Sequence, residues 1–259
     1  MIAVHPMLAT MGQPSMLRVY LLEARYELLR VLRNPSFAVP ALAFPLVFYV
    51  LFAILLPGQS GGFEKATYML ATYGVFGVIG PALFGFGVGL AMERQQGWLE
   101  LKRVSPMPTA AYFFAKIFMS MAFALTIVLL LSTAAVAFGG VHIALSVWLR
   151  LVAVLLLGTL PFCALGLLIG TLVKGQAAVA VVNLVYLPMA VLSGLWMPLF
   201  VFPTVMQKMA VLWPAWHLAQ MALGVVGQVQ DVRYGLHAGV LLVTTALFLS
   251  LAALRLRSN

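Results

Sequence analysis

The sequence predicts an all-α integral membrane protein: six transmembrane helices, an N-terminal amphipathic interfacial helix, a charged cytoplasmic segment and a re-entrant helical pair before the last span. Three observations lead there. Mean hydropathy is +1.08, and 64% of the 259 residues are apolar against 8% charged. The apolar residues form long runs almost free of charge, each near the roughly 20 residues needed to cross about 30 Å of hydrocarbon. The few charges bunch: Glu93, Arg94, Glu100, Lys102 and Arg103 fall within the segment 93–108, which two prolines close. Unpaired charge is costly in lipid, so that segment is expected in water on one side of the membrane.

Residues 1–14 show no periodicity and are expected to be disordered, ahead of a single permease-sized domain over 15–259. From Ser15 to Arg33, Leu17, Tyr20, Leu21, Ala24, Leu28, Val31 and Leu32 share one helical face. Arg18, Glu23, Arg25, Glu27, Arg30 and Arg33 share the other. Ser15 suits an N-cap and Asn34-Pro35 a stop. A basic amphipathic helix beside a span suits the membrane surface. Spans are expected over roughly 36–56, 67–92, 110–138, 147–172, 177–197 and 234–254. The second is rich in glycine (Gly74, Gly77, Gly80, Gly85, Gly87, Gly89), which lets neighbouring backbones come close in a bilayer. The stretch 198–227 is apolar but broken by Pro198, Pro203 and Pro214, so short re-entrant or interfacial helices fit it better than a span. No cleavable signal peptide is expected, since the first long apolar run begins near Ser36, after four arginines.

Charge orients this topology. With both termini in the cytoplasm, eleven of the fifteen lysines and arginines lie inside and four (Lys65, Arg150, Lys208, Arg233) outside. The net charge of +9 is then a matter of orientation against anionic membrane lipid, and no nucleic-acid partner is expected. The single cysteine, Cys163, lies in an apolar run and reads as an inert buried thiol.

No catalytic or metal constellation is evident. There is no phosphate-binding glycine loop, no H-E-x-x-H and no G-x-S-x-G. His5, His142, His217 and His237 lack metal-like spacing. No enzyme activity, cofactor or metal is therefore expected in this chain. Asn183 is the deepest strongly polar side chain, and it suits either a hydrogen bond between helices or a contact with cargo. With no buried relay of acids and bases, the energy for any transport must enter from outside the chain, through the charged segment.

These residues resemble the membrane subunit of an ATP-binding-cassette (ABC) exporter of the second type, the group that exports drugs, glycans and lipids. The resemblance rests on Glu93, Arg94, Gly97, Glu100 and Pro106 after the second span. It also rests on Ser193-Gly194 followed by Pro198 near the end of the fifth, on Pro214 in Trp213-Pro214-Ala215-Trp216-His217, and on Leu32-Arg33-Asn34-Pro35. The sequence departs from the family pattern at Gln95, Trp98 and Lys102. The resemblance implies a coupling helix over 93–105 that docks on a separate ATPase, with Glu93, Arg94, Gly97, Trp98, Glu100 and Pro106 as the coupling residues. It implies two permeases with two ATPases, which bind the ATP, in a bacterial inner membrane. It implies a path between the permeases lined by spans one, two and five, with Gly77, Gly85 and Asn183 as path candidates. Ser193, Gly194, Pro198 and Pro214 would shape an outer gate. Trp98 suits an interface anchor or a membrane-surface anchor, and Glu93 with Arg94 suits docking or local pairing at the span end. The alternative function is a non-transporting membrane scaffold or sensor that recruits a cytoplasmic partner.

Overall fold

A helix that is apolar on every side can only be stable in lipid or wrapped by other helices, and the protein makes both kinds. The computed structural model describes residues 15–56, 64–98, 101, 104 and 107–257. Among the described residues every regular element is helical. The order is α1 (Met16–Leu32), α2 (Pro35–Leu55), α3 (Lys65–Gln95), α4 (Thr109–Phe138), α5 (Leu145–Leu157), α6 (Leu160–Leu172), α7 (Ala177–Leu192), α8 (Thr204–Ala210), α9 (Pro214–Val225) and α10 (Tyr234–Arg257). Taken with α5 and α6 as one crossing, Leu145–Leu172, five helices are long and apolar enough to cross a membrane: α2, α3, α4, α5–α6 and α10. The fifth expected span, 177–197, is helical only over the 16 residues of α7. The expected disordered terminus 1–14 lies outside the described residues.

Helix α3 is the hub and packs against α2, α4, α5, α6, α7 and α9. Its most apolar stretch is 67% buried, against 17% for α2 and 11% for α10. Composition alone cannot separate these roles, because lipid and core accept the same side chains. Pro81 shapes the second half of α3. Its ring removes a backbone donor and crowds the preceding turn, and from Ala82 to Val88 the helix widens into a π-helix. On that widened stretch glycines bring backbone against backbone. A Cβ on Gly87 would sit 2.9 Å from the Gly166 carbonyl of α6, and one on Gly170 would sit 2.8 Å from the Gly87 carbonyl. The expected close packing of glycines is thus made between α3 and α6.

Two expected boundaries move. The fourth span is interrupted between α5 and α6, where Gly158 lies so close to Leu218 that no side chain fits and Pro161 begins the next helix. Helix α7 stops at Leu192, five residues early, because Gly194 adopts φ +72. Its N–H donates to the Val191 carbonyl (3.0 Å) and the Leu195 N–H to the Ala190 carbonyl (3.0 Å), the double closure of a Schellman motif. Beyond it come a 3₁₀ turn, Leu199–Val201, then the short α8, and then α9, which inserts among α3, α5 and α10.

Helix α1 corrects the helical-wheel reading. Ala24, Glu27 and Val31 form its buried stripe against α4. Leu17 and Leu21, from the apolar face, are 70% and 57% exposed, while Glu27, from the polar face, is 5% exposed. The reason lies on α4, in a buried cation that Glu27 meets.

Gly166→Val is expected to force α3 and α6 apart and to lower the thermal midpoint of the detergent-purified protein by several degrees. Gly235→Val, where a Cβ meets nothing within 4 Å, is expected to leave it nearly unchanged. Equal midpoints for the two variants would refute the close-packing account.

Candidate functional site

Two sites lie along α3, one near its C-terminal end and one at its middle. Near its C-terminal end a buried charge cluster ties three helices together. Lys116 of α4 is wholly buried. Its Nζ lies 2.9 Å from Glu27 Oε1 of α1 and 3.1 Å from Glu93 Oε1 of α3. Arg30 of α1 reaches the same carboxylates, at 2.7 Å from Glu27 and 2.6 Å from Glu93. The Tyr112 hydroxyl donates to Glu93 Oε2 (2.7 Å), and its ring lies 5.1 Å from the Lys116 ammonium. Gly89 makes the room, since a Cβ there would stand 3.2 Å from Nζ. Two carboxylates and two cations make the cluster neutral. That balance is what a buried charge requires, because an unpaired one would carry a heavy desolvation cost. Burial works to lower the Arg30 pKa, but the carboxylates of Glu27 and Glu93 hold it above its ordinary value.

Glu93 is therefore 4% exposed and turned inward, not outward toward a docking partner. Arg94 is committed too: it donates to the carbonyls of Gly170 (2.9 Å) and Thr171 (2.7 Å), capping the end of α6. Each thus finds partners across helices rather than in the other. Gly97, at φ +74, lets the chain leave α3. Trp98 is 52% exposed and borders a cleft of about 350 Å³ together with Glu23, Tyr26, Arg30 and Gln96. Glu100 and Pro106 lie outside the described residues.

At the middle of α3, α2, α3 and α7 enclose an apolar groove of about 450 Å³. Phe44, Phe48, Phe76, Phe84, Tyr186 and Trp196 line it, and no charged side chain is among its described lining residues. Phe76 stacks on Tyr186 with centroids 5.1 Å apart, and Trp196 stacks on Phe48 at 5.7 Å. The Tyr186 hydroxyl donates to the Phe76 carbonyl (2.9 Å) and the Tyr73 hydroxyl to the Trp196 carbonyl (3.2 Å). These bonds hold the rings while hiding their polar ends. Gly77 lines the groove, as does Asn183, whose amide donates to Val179 of its own helix (3.0 Å) rather than across helices. Gly85 does not line it. Its open side faces Met119 of α4, where a Cβ would be 2.5 Å from the Met119 methyl, so Gly85 serves packing.

The segment after α7 meets this groove through Trp196. Ser193 caps α7, Gly194 closes it, Pro198 precedes the 3₁₀ turn and Pro214 opens α9. Three buried polar atoms here have no hydrogen-bond partner among the described residues: Ser193 Oγ, Trp196 Nε1 and Trp213 Nε1. Sequence reasoning missed Lys116, Glu27 and Tyr112 as cluster members, because their partners lie far away in the chain. The only signal was a lysine about two turns inside an apolar span.

Lys116→Met is expected to leave two buried carboxylates sharing the half-exposed Arg30 and to cost about 3–5 kcal/mol. Arg30→Ala should cost less, since water replaces part of what it loses. Denaturant titration in mixed micelles checks the ranking; a costlier Arg30→Ala would contradict it.

A family model described as ABC-2 type transporter matches residues 19–226, from α1 through α9. The chain is also 34% identical, over 205 residues, to the putative transport permease YvfS of Bacillus subtilis (strain 168), a match covering 76% of this chain and 80% of that protein. With its membrane-crossing helices and this match across most of its length, the chain belongs to the ABC-2 type transporter family and is a multi-pass membrane permease.

Proposed function

We propose that this permease exports an uncharged hydrophobic or amphipathic molecule, driven by a separate ATPase that binds and hydrolyses the ATP. The observation that carries the reading is the aromatic groove between α2, α3 and α7, joined through α3 itself to a charge-locked end. An apolar cavity favours apolar cargo, and rings without a facing charge favour neutral cargo. The unpartnered Trp196 N–H suits a cargo with a hydrogen-bond acceptor. The groove is open on one side, and α2 beside it is mostly exposed. Both features suit a second permease copy facing the first across the path.

In this reading α7 is the sixth crossing. At 16 residues it spans about 24 Å, and the closed turn through Gly194 covers the remaining depth. Both termini lie in the cytoplasm of a bacterium, as the charge bias favours. The chain after Gly97 is the coupling helix, and two ATPases dock there. Trp98 offers the anchor and Glu93 acts through others: with Lys116 and Arg30 it positions the end of α3 from which the docking segment leaves. The segment Ser193–Val225 forms the outer gate, with α8 and α9 as its re-entrant pair. ATP-driven closure of the partners then moves α1, α3 and α4 together.

Copurification from mild detergent is expected to bring down a stoichiometric ATPase, and vesicles holding the complex should show ATP-dependent flux of an apolar dye. Trp98→Ala is expected to weaken ATPase binding by about 30-fold, as interface anchors do, with insertion unchanged. An ATPase held as tightly by Trp98→Ala as by the natural chain would remove Trp98 from the interface. A bound partner without any ATP-dependent flux would favour a scaffold instead.

A further inference from the structure

Two histidines unused by this account meet at the start of α9 and α10. His217 lies in the first turn of α9 and His237 in the first turn of α10; they are 2% and 7% exposed. Their Nδ1 atoms are 2.9 Å apart, and His217 Nε2 lies 2.9 Å from the Val211 carbonyl oxygen. The Trp216 ring meets both imidazoles edge-on, with centroids at 5.0 and 5.4 Å.

The hydrogens follow from chemistry. A carbonyl only accepts, so His217 Nε2 carries a hydrogen. If the ring is neutral, its Nδ1 is then a bare acceptor, and His237 Nδ1 must carry the hydrogen that joins the rings. The pair can take one further proton, on His237 Nε2, with the bridge intact. A second, on His217 Nδ1, would set two N–H groups against each other at 2.9 Å and break it. The two rings therefore titrate as one unit.

We propose that His217 and His237 form a proton-operated latch that fastens α9 to α10 and releases it in acid. Its use as a control on the outer gate rests on the functional reading above; the latch itself does not. Burial draws the His217 pKa below its ordinary value near 6.5, although the Val211 carbonyl favours the charged ring. A group depressed in this way contributes stability above about pH 6.5, and that contribution is lost as the pH falls below it. Ionisable groups on the packed elements near this pair are Lys65, Tyr68 and Tyr73 near the start of α3, Arg150 on α5, the Cys163 thiol on α6 and Tyr234 on α10. Lys65 donates to the Leu56 carbonyl, Tyr73 to that of Trp196 and Arg150 to that of Ser146. The Tyr234 hydroxyl lies over Gly224. Lys208 is on α8, and Asp231 and Arg233 are in the turn ahead of α10.

The test uses the full chain in lipid nanodiscs, without ATPase or cargo. Histidine ¹⁵N spectra at pH 7.5 should show His217 protonated at Nε2 and His237 at Nδ1. Hydrogen exchange of the α9 amides, corrected for intrinsic pH dependence, should be about tenfold faster at pH 5.5, the worth of about one hydrogen bond. In His237→Gln, whose amide can turn to donate or accept, the acid effect should vanish. The opposite tautomers, equal α9 protection at both pH values, or an undiminished acid effect in His237→Gln would each overturn the latch. If the latch stands while no cargo is moved, the export reading fails and this inference does not.

Discussion

The ammonium of Lys116 has no access to water, and the arrangement of one end of the bundle follows from that constraint. A charge removed from water needs opposite charge at contact distance, and Lys116 finds it on two different helices, 2.9 Å from Glu27 and 3.1 Å from Glu93. Because each carboxylate also binds Arg30, neither α1 nor α3 can slide along α4 without separating buried charges. The Arg94 guanidinium extends the tie to α6 through two carbonyls, and the Gly175 N–H adds a bond to the Ala91 carbonyl (3.2 Å). Four helices thus end in one framework. In the proposed reading, a push on the chain beyond Gly97 is delivered to that framework as a whole rather than spent on bending one helix.

The opposite end of α3 is held differently. Apart from the Lys65 ammonium on the Leu56 carbonyl and the Thr67 hydroxyl on the Glu64 carboxylate, its polar contacts are neutral: tyrosine hydroxyls on carbonyls, with stacked rings and a histidine pair nearby. Each is worth less than a buried ion pair and each can be remade at small cost. Between the two ends lies the π-helical stretch Ala82–Val88, pressed backbone to backbone on α6. A widened stretch is where a helix can change register most cheaply. The molecule therefore has a stiff end, a deformable middle and a loosely held end along one helix. In the proposed reading, motion at the stiff end reaches the groove through that deformable middle, where Phe84 lines it.

Much of this was legible in the sequence and some of it could not be. Hydropathy places α2, α3, α4, α5–α6 and α10 within a few residues, because the length of an apolar run is set by the bilayer. It cannot tell that α3 is central and α10 peripheral, since a phenylalanine facing lipid and one facing a neighbouring helix look alike in sequence. The breaks carried local signals, Pro81 for the π stretch and Gly158 with Pro161 for the interrupted span, yet a proline inside an apolar run is compatible with kink, break or bulge. Gly194 ended α7 early by a φ that no other residue adopts as easily. The cluster was hidden for another reason. Glu27 and Lys116 are 89 residues apart, and a helical wheel assigns a charged residue to water unless its partner is known. The histidine pair was hidden in the same way, by 20 residues and two helices.

In the proposed reading, neutrality of the cluster also bears on the charge bias that orients the chain. Glu27 and Glu93 cancel Arg30 and Lys116 within the protein, which removes two of the six acidic residues from the surface. The excess of +9 is thereby left on the other groups, among them Arg18, Arg25 and Arg33, all exposed along α1. These lie beside the exposed Leu17, Leu21 and Leu32, so that α1 offers cations and apolar side chains on one solvent-facing surface while its other edge is locked to α4. An anionic leaflet satisfies both halves of that surface at once. In the proposed reading, the same helix that completes the buried ion pairs is thus the one that rests on the membrane, and the internal pairing of Glu27 leaves its outer face more basic for that role.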